Sequence, residues 1–207
     1  MIIKNFKTTA IAAAVIAGST MLPSNALFAQ EMVEEIVTTG TRAKARSTTD
    51  TVAPVDVISS ATLLNQGDMD VANLLRNAVP SFSVNDQPIS DAATLVRPFQ
   101  LRGMAPDHTL ILVNGKRRHR GSVIVWSAGG ISDGSHGPDA STMPGMALKS
   151  VEVLRDGASA IYGSDALSGV INFKLKDASE GGSAQIRFGE YGEGDGQMAY
   201  FAGNIGM

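Results

Sequence analysis

The sequence predicts a mixed α/β domain with a small mixed β-sheet and short helices, followed by amphipathic strands. Residues 109–113 form an apolar run typical of a central buried strand. The Asn114-Gly115 pair after that run favours a type I′ turn, because both central residues of such a turn need positive φ. From residue 183 onward, apolar and polar residues alternate, which is typical of a transmembrane β-strand.

The first elements of the domain are a strand at residues 55–58 and two short helices. Ser59 or Ser60 is predicted to cap a helix over residues 61–66 that Gly67 ends. Asp68 or Asp70 is predicted to cap the second helix, which Pro80 stops. The apolar face of this second helix is predicted from positions three and four apart, namely Val71, Leu74, Leu75 and Ala78.

The later elements are predicted from shorter patterns. Residues 81–85 are predicted to form a strand, and residues 147–150 to end a short helix. Further strands are predicted at residues 151–155 and 170–173, and a hairpin is predicted from residue 183 to residue 202, with its turn at residues 192–196. Residues 121–141 form a long loop rich in Gly and Ser, and loops of this length are usually functional or disordered.

The first 29 residues have the order of regions found in a secretory signal. Lys4 and Lys7 precede an apolar stretch at residues 10–18, and small residues then continue to possible cleavage sites after Ala26 or Ala29. The stretch is about half of the ~20 residues that a membrane-spanning helix needs. We therefore expect export in a two-membrane bacterium; a buried amphipathic helix is the alternative.

Composition argues against several classes of protein. The chain has no cysteine, so it can form neither a disulfide nor a thiolate metal site. Its formal net charge is −3 without a long basic tract, which argues against a nucleic-acid partner. Residues 163–169 do not fit the nucleophile elbow, residues 114–116 do not fit a phosphate loop, and the three histidines lack metal-pair spacing. We expect no enzymatic activity, no metal and no cofactor.

Four segments together resemble the TonB-dependent receptor family. Residues 34–40, Glu-Glu-Ile-Val-Thr-Thr-Gly, are similar to the TonB box, which often reads Glu-Ile-Val-Val-Thr-Gly; Thr38 stands where the second Val is usual. Residues 101–103 (Leu-Arg-Gly) and 110–115 (Leu-Ile-Leu-Val-Asn-Gly) resemble signatures of the plug domain. The most specific segment is residues 151–173, which runs from Val-Glu-Val-Leu-Arg-Asp-Gly to Gly-Val-Ile-Asn-Phe.

The resemblance implies a mixed α/β plug inside a 22-stranded barrel of the cell outer membrane. Its function would be to gate energy-coupled uptake of a scarce nutrient, by default a ferric siderophore or similar chelate. TonB, energised by its inner-membrane complex, would be the partner. The implied organisation is a signal peptide (1–29), a flexible arm with the TonB box (30–51), the plug (52–177) and a first barrel hairpin (178–207).

The length of 207 residues leaves two alternatives open. One is a truncated, non-transporting periplasmic plug module that can only bind TonB. The other is a fragment of a degenerate gene. Most determinants of substrate choice would lie in a barrel wall and outer loops that this sequence does not contain.

The candidate functional residues fall into three sets. The TonB-box set is Glu35, Ile36, Val37, Thr38, Thr39 and Gly40. Taken in isolation, this segment would favour an inert linker; beside the plug motifs it favours strand pairing to TonB. The structural set contains arginines predicted to form ion pairs, within the plug or with the barrel wall, and residues predicted to shape the backbone. Its members are Arg102, Gly103, Arg155, Asp156, Gly157 and Gly163.

The third set lies in loops 86–97 and 118–141, which match plug segments that face the external ligand in relatives. Its candidate ligand-facing residues are Arg97, Arg118, His119, Trp126, Asp133 and His136. Each could instead be a solvated loop residue that touches no ligand. The basic run at residues 116–120 could steer an anionic chelate or pair with an acidic barrel lumen.

Overall fold

The structure is a computed structural model, and it describes residues 36–37, 39, 46–47, 54–66, 68, 70–85, 95–125, 130–177 and 179–206. The predicted signal peptide, Gly67, Trp126 and most of the loop at residues 86–97 lie outside the described residues. Within the described ranges, no helix is both long and apolar enough to cross a membrane.

The described chain contains short strands and helices. In chain order these are β1 (Ile36–Val37), β2 (Arg46–Ser47), β3 (Val55–Ser59), α1 (Ser60–Leu64), α2 (Val71–Ala78), β4 (Phe82–Val84), β5 (Phe99–Leu101), β6 (Thr109–Val113), β7 (Lys116–Arg117), β8 (Leu148–Leu154), α3 (Ser159–Tyr162), β9 (Gly169–Leu175), β10 (Gly182–Gly189) and β11 (Met198–Ile205). Single 3₁₀ turns occupy Pro106–His108, Gly145–Ala147 and Ser164–Ala166.

A five-stranded mixed sheet with the order β3-β8-β9-β6-β7 forms the centre of the domain. Only the β6–β9 pair is parallel; the other three pairs are antiparallel. This confirms the predicted mixed α/β class and the predicted position of residues 109–113 as an inner strand. The type I′ turn is also confirmed, since φ is +48° at Asn114 and +77° at Gly115.

The two predicted helices are present, with one difference in extent. Ser59 caps α1 and its hydroxyl accepts from the Thr62 amide at 3.2 Å, but the helix ends at Leu64 rather than at residue 66. Asp70 caps α2 by accepting from the Ala72 amide at 2.9 Å. The predicted capping residues Ser59 and Asp70 therefore mark the starts of α1 and α2. Helix α1 ends before residue 66 because Asn65 takes the C-cap position.

The two faces of the sheet are covered differently. On the first face, α1, α2 and the β4–β5 hairpin pack over a large apolar core in which Phe99 is fully buried. The Phe99 ring lies 4.9 Å from the Phe82 ring, edge to face, and 6.3 Å from the Phe173 ring, centroid to centroid. On the second face, α3 and the Ser164–Ala166 turn contribute to a smaller apolar cluster of Leu110, Leu112, Leu154, Ala158, Ala166 and Val170.

The prediction of a helix ending at residues 147–150 was right only at Ala147 and wrong for residues 148–150. Gly145–Ala147 is a 3₁₀ turn, and β8 already begins at Leu148, which pairs with Leu175 of β9. Cross-strand pairing overrides the local helix preference of this segment.

The predicted hairpin after the sheet is present as β10 and β11, paired antiparallel over eight residues each. Its outer face is apolar and exposed, with Ile186 opposite Phe201. On its inner face, the Arg187 guanidinium donates to the Leu64 carbonyl at 2.8 Å and to the Asp68 carbonyl at 3.4 Å. Arg187 therefore ties the hairpin to the end of α1.

Candidate functional site

The described arm residues form one short strand pair and one buried position. In β1, Ile36 lies opposite Ser47 and Val37 opposite Arg46 of β2, in antiparallel register. Two residues further on, Thr39 is only 1% exposed. Ile36 and Val37 of the box-like segment therefore form a strand in the structure, and one edge of that strand has a neighbour.

Thr39 is buried against a polar pair on the second face of the sheet. Its hydroxyl donates to the Glu152 carboxylate and accepts from Asn172 Nδ2 at 3.1 Å. Glu152 and Asn172 lie directly opposite each other on β8 and β9, and they are 2% and 1% exposed. We call Thr39, Glu152 and Asn172 the arm anchor.

Asn172 is the hub of the arm anchor. Its Nδ2 also donates to Glu152 Oε2 at 3.1 Å, and its Oδ1 accepts from the Gly115 amide in the β6–β7 turn at 3.0 Å. A buried carboxylate is costly unless hydrogen bonds compensate for lost water, so these contacts stabilise Glu152 inside the sheet. Glu152 and Asn172 are not among the site residues predicted from the sequence. The feature of the sequence that indicates this site is a single polar residue, Glu152 or Asn172, within each of two otherwise apolar stretches, 151–154 and 170–173.

Most of the structural set lies after the ends of β5 and β8, and Gly163 follows α3. Arg155 binds Asp56 of β3 through two contacts, Nε to Oδ2 at 2.7 Å and Nη2 to Oδ1 at 2.9 Å. Arg102, at φ +57°, donates to the Arg155 carbonyl at 3.1 Å and lies 3.8 Å from Asp156. These side chains are half-exposed, so each ion pair stabilises the fold by about 0.2–1 kcal/mol.

The glycines of this set occupy positions that restrict other residues. Gly103 has φ +68° and Gly163 has φ +91°, a region that favours glycine. At Gly157, a Cβ would lie 3.2 Å from the Leu167 carbonyl oxygen.

Three of the candidate ligand-facing residues line one cleft of about 230 Å³: Arg118, His119 and His136. The other three do not join them. Arg97 forms an ion pair with Asp70 at the start of α2, Asp133 lies in a turn whose amide donates to the Gly130 carbonyl at 2.9 Å, and Trp126 is outside the described residues.

The cleft is predominantly basic. Arg117 and Arg120 both approach Asp165, and Asp107 accepts from the His136 amide at 2.6 Å. Within the described chain, Arg118 Nε is buried and has no hydrogen-bond partner, so its guanidinium has capacity for a further acceptor. The cleft is smaller than the ~300–1,000 Å³ of a complete small-molecule pocket, and it therefore suits one wall of a larger site.

A second cavity of about 310 Å³ adjoins the arm anchor at Glu152. Lys149 and Asp177 form an exposed ion pair in its lining, with Nζ 3.0 Å from Oδ1. The hydrogen bond and charge of Lys149 lower the pKa of the Asp177 carboxyl below its usual range. Within the part of the chain that the structure describes, no group of three acidic or histidine side chains could hold a metal ion.

Comparison with known proteins gives the same family as the sequence motifs. The description "TonB-dependent Receptor Plug Domain" matches residues 47–170. The chain is 29% identical over 184 residues to the vitamin B12 transporter BtuB of Vibrio vulnificus, covering 88% of this chain and 27% of that protein. It is 37% identical over 92 residues to a probable TonB-dependent siderophore receptor PirA of Acinetobacter baumannii, covering 44% of this chain and 12% of that protein.

The fold has a counterpart among solved structures. A mutant ferric enterobactin receptor (PfeA) of Pseudomonas aeruginosa superposes with a TM-score of 0.53 at 23% identity, covering 73% of this chain and 22% of that one. The chain thus spans about a quarter or less of the length of these relatives. The match places the chain in a transport family and confirms the prediction that it is not an enzyme. Because the matched segment covers more than half of the sequence, the chain belongs to the TonB-dependent receptor family and contains its plug domain.

Proposed function

We propose that this chain is the plug region of an outer-membrane receptor that gates energy-coupled uptake of a scarce nutrient through TonB. The observation that carries the proposal is the position of β1. This two-residue strand, Ile36–Val37, lies inside the box-like segment and a short distance before the plug match at residues 47–170. A strand outside the compact sheet supplies backbone groups that a second protein can pair with.

TonB would engage the box by strand addition. Within the described residues β1 has a single strand neighbour, β2, and TonB would pair along the other edge of β1. Pairing along residues 35–40 would connect TonB to a segment attached directly to the plug sheet through Thr39. Force on the box would then reach β8 and β9.

The ligand would meet the plug at the cleft of Arg118, His119 and His136. Its positive charge favours an anionic ligand, and a ferric siderophore or similar chelate has that character. The relatives named above include receptors for siderophores, enterobactin and vitamin B12. A ferric siderophore or similar chelate is therefore the ligand class that we propose.

The β10–β11 hairpin would be the first part of the barrel wall. Its outer face is apolar, and its inner face contacts the plug through Arg187. Each strand has eight residues, close to the ~9–11 that a tilted transmembrane strand needs.

The test is a proline in the box. Ile36→Pro removes a backbone donor from β1 and restricts φ, so we expect the affinity for the purified periplasmic domain of TonB to fall at least about tenfold. Ile36→Val is the matched control, because it keeps the donor and the β propensity. Titration calorimetry with both variants measures the difference. Unchanged affinity of the proline variant would overturn the proposed box, and in a full-length receptor carrying it, uptake would be expected to stop.

A further inference from the structure

We propose that Gln100 is a positioning residue for the ligand cleft: its side chain fastens the loop that carries His136, which lines one side of that cleft. We call residues 130–137 the cleft loop. This inference rests on the proposed function, because it concerns how the same cleft keeps its shape before a ligand arrives.

Gln100 is a buried polar residue in a short apolar strand. It is 5% exposed, and its neighbours in β5, Phe99 and Leu101, are fully buried. Its Oε1 accepts from the Ser83 hydroxyl of β4 at 3.3 Å, and its Nε2 donates to the Ser132 hydroxyl. Burying an amide is costly unless both of its ends are hydrogen-bonded. The cleft loop therefore supplies one of the two partners that keep this amide inside the domain.

The hydrogen bonds of the cleft loop spread from Ser132. The Ser132 carbonyl accepts from the Ser135 amide at 3.1 Å and from the Ser135 hydroxyl at 2.5 Å. The Ser135 carbonyl in turn accepts from the Val125 amide at 2.9 Å, and the two serines are 3% and 4% exposed. The contact from Gln100 thus reaches the residue around which the loop is organised.

The same loop places His136 against the cleft. The His136 amide donates to the Asp107 carboxylate at 2.6 Å, and the ring Nε2 lies 2.5 Å from the Gly121 carbonyl oxygen. The next residue, Gly137, lies so close to Pro106 that an added Cβ would be 2.4 Å from the Pro106 Cβ. His136 therefore keeps its place in the cleft only while the cleft loop stays closed on this surface.

Gln100 would affect ligand affinity without touching the ligand. The lining of the cleft in the described chain does not include Gln100. The apparent affinity falls with the fraction of chains in which the loop is closed, because an open loop must be ordered by the ligand itself. Losing a hydrogen bond and leaving a buried hydroxyl without its partner shifts such an equilibrium by about tenfold or more.

The experiment uses three variants of the full chain. Gln100→Met keeps the length of the side chain but loses both hydrogen bonds. Ser83→Ala is the matched control, because it removes one hydrogen bond of the same amide and leaves the contact with Ser132. Ser132→Ala removes that contact from the side of the loop, and it decides the test if Gln100→Met does not fold.

Two measurements are made on each variant by NMR. Amide hydrogen exchange at Val125 and Ser135 reports opening of the cleft loop, and exchange at Ile171 in the central strand β9 reports opening of the whole sheet. The shift of the His136 ring resonances during titration with gallium(III) citrate, a diamagnetic anionic chelate, gives the affinity of the cleft for this probe.

We expect Gln100→Met and Ser132→Ala to raise the exchange rates of the two loop amides, relative to that of Ile171, at least about tenfold. Both variants should weaken binding of gallium citrate at least about threefold, whereas Ser83→Ala should keep both quantities within about twofold of the parent chain. The inference would be overturned if the loop amides of Gln100→Met exchanged as in the parent, if they and Ile171 accelerated equally, or if Ser83→Ala had the same effect.

Two combinations separate this inference from the proposed function. If Gln100→Met opens the loop but gallium citrate binds none of the chains, Gln100 positions the loop and the proposed ligand cleft is wrong. If gallium citrate binds the parent and Gln100→Met changes neither exchange nor affinity, the ligand cleft stands and the positioning role is wrong.

Discussion

Replacing Asn172 with aspartate tests the polar centre of the sheet, because the change is nearly isosteric and reverses the chemistry of one atom. In the parent chain, Asn172 Nδ2 donates to Glu152 Oε2 at 3.1 Å and to Thr39 Oγ1 at the same distance. Asn172→Asp puts an oxygen in that place. Two donated hydrogen bonds are lost, and a second carboxyl group then faces Glu152.

The distance sets the magnitude. Two unit charges 3.1 Å apart repel by about 5 kcal/mol at an effective dielectric constant of about 20. The folded variant can relieve this repulsion by binding a proton on the introduced carboxyl. That route costs about 1.4 kcal/mol for each pH unit above the ordinary value of about 3.9, which limits the loss of unfolding free energy at pH 7 to about 4 kcal/mol.

The sign of the pH dependence follows from the same reasoning. Repulsion raises the pKa of the introduced carboxyl in the folded state above its unfolded value, so the folded state binds more protons than the unfolded state between the two. The deficit is therefore largest at neutral pH and shrinks as pH falls toward about 4. Urea unfolding followed by circular dichroism between pH 5 and pH 8 measures the deficit relative to the parent.

Asn204→Asp is the matched control. Asn204 Oδ1 accepts from the Ser183 amide at 2.9 Å and from the Ser183 hydroxyl, and a carboxylate accepts these bonds equally well. We expect a change within about 0.5 kcal/mol. The reasoning would be refuted if Asn172→Asp unfolded with the parent's free energy at pH 7, or if its deficit did not change with pH.

Two further predictions concern packing and surface charge. Phe99→Ala removes a fully buried ring with two aromatic neighbours and should lower the free energy of unfolding, measured in urea, by about 3–5 kcal/mol. The control Phe188→Ala, at a residue 82% exposed, should change it by less than about 0.5 kcal/mol. Similar losses in both variants would contradict the described core. Lys149→Met should raise the lowered pKa of Asp177 toward its ordinary value. In the parent chain the ionised Asp177 carboxylate slightly stabilises the folded state above its unfolded pKa, and this stabilisation is lost as pH falls through the folded pKa. The variant should lack this small stabilisation. Carboxyl NMR titration of Asp177 checks the shift, and an unchanged titration in the variant would show that Lys149 is not its cause.

The local features of the fold were predictable because each depends on neighbouring residues. The Asn114-Gly115 turn needs two positive φ values, and Asp70 caps α2 with an amide two residues away. Residues 148–150 are strand and not the predicted end of a helix. There β8 begins because Leu148 pairs with Leu175, a contact between residues far apart in the chain that no local pattern encodes.

The candidate site was predictable only in part, for the same reason. Arg118 and His119 are adjacent in sequence, and the loop that brings His136 to them had been singled out by its length. Arg97 instead pairs with Asp70. The arm anchor was missed because Thr39 meets Glu152 across 113 residues, and a glutamate within a strand is more often an exposed residue than a buried one.

The central claim is that residues 35–40 pair with TonB as a β-strand, and single-cysteine scanning across these positions tests it most directly. The native chain has no cysteine, so each variant carries one thiol, to be cross-linked to one fixed cysteine in the periplasmic domain of TonB. Strand pairing predicts a maximum at one position, weaker cross-linking two residues to either side, and little at the positions between, because side chains alternate between faces. Cross-linking that is absent at all six positions, or equal at all of them, would contradict the account.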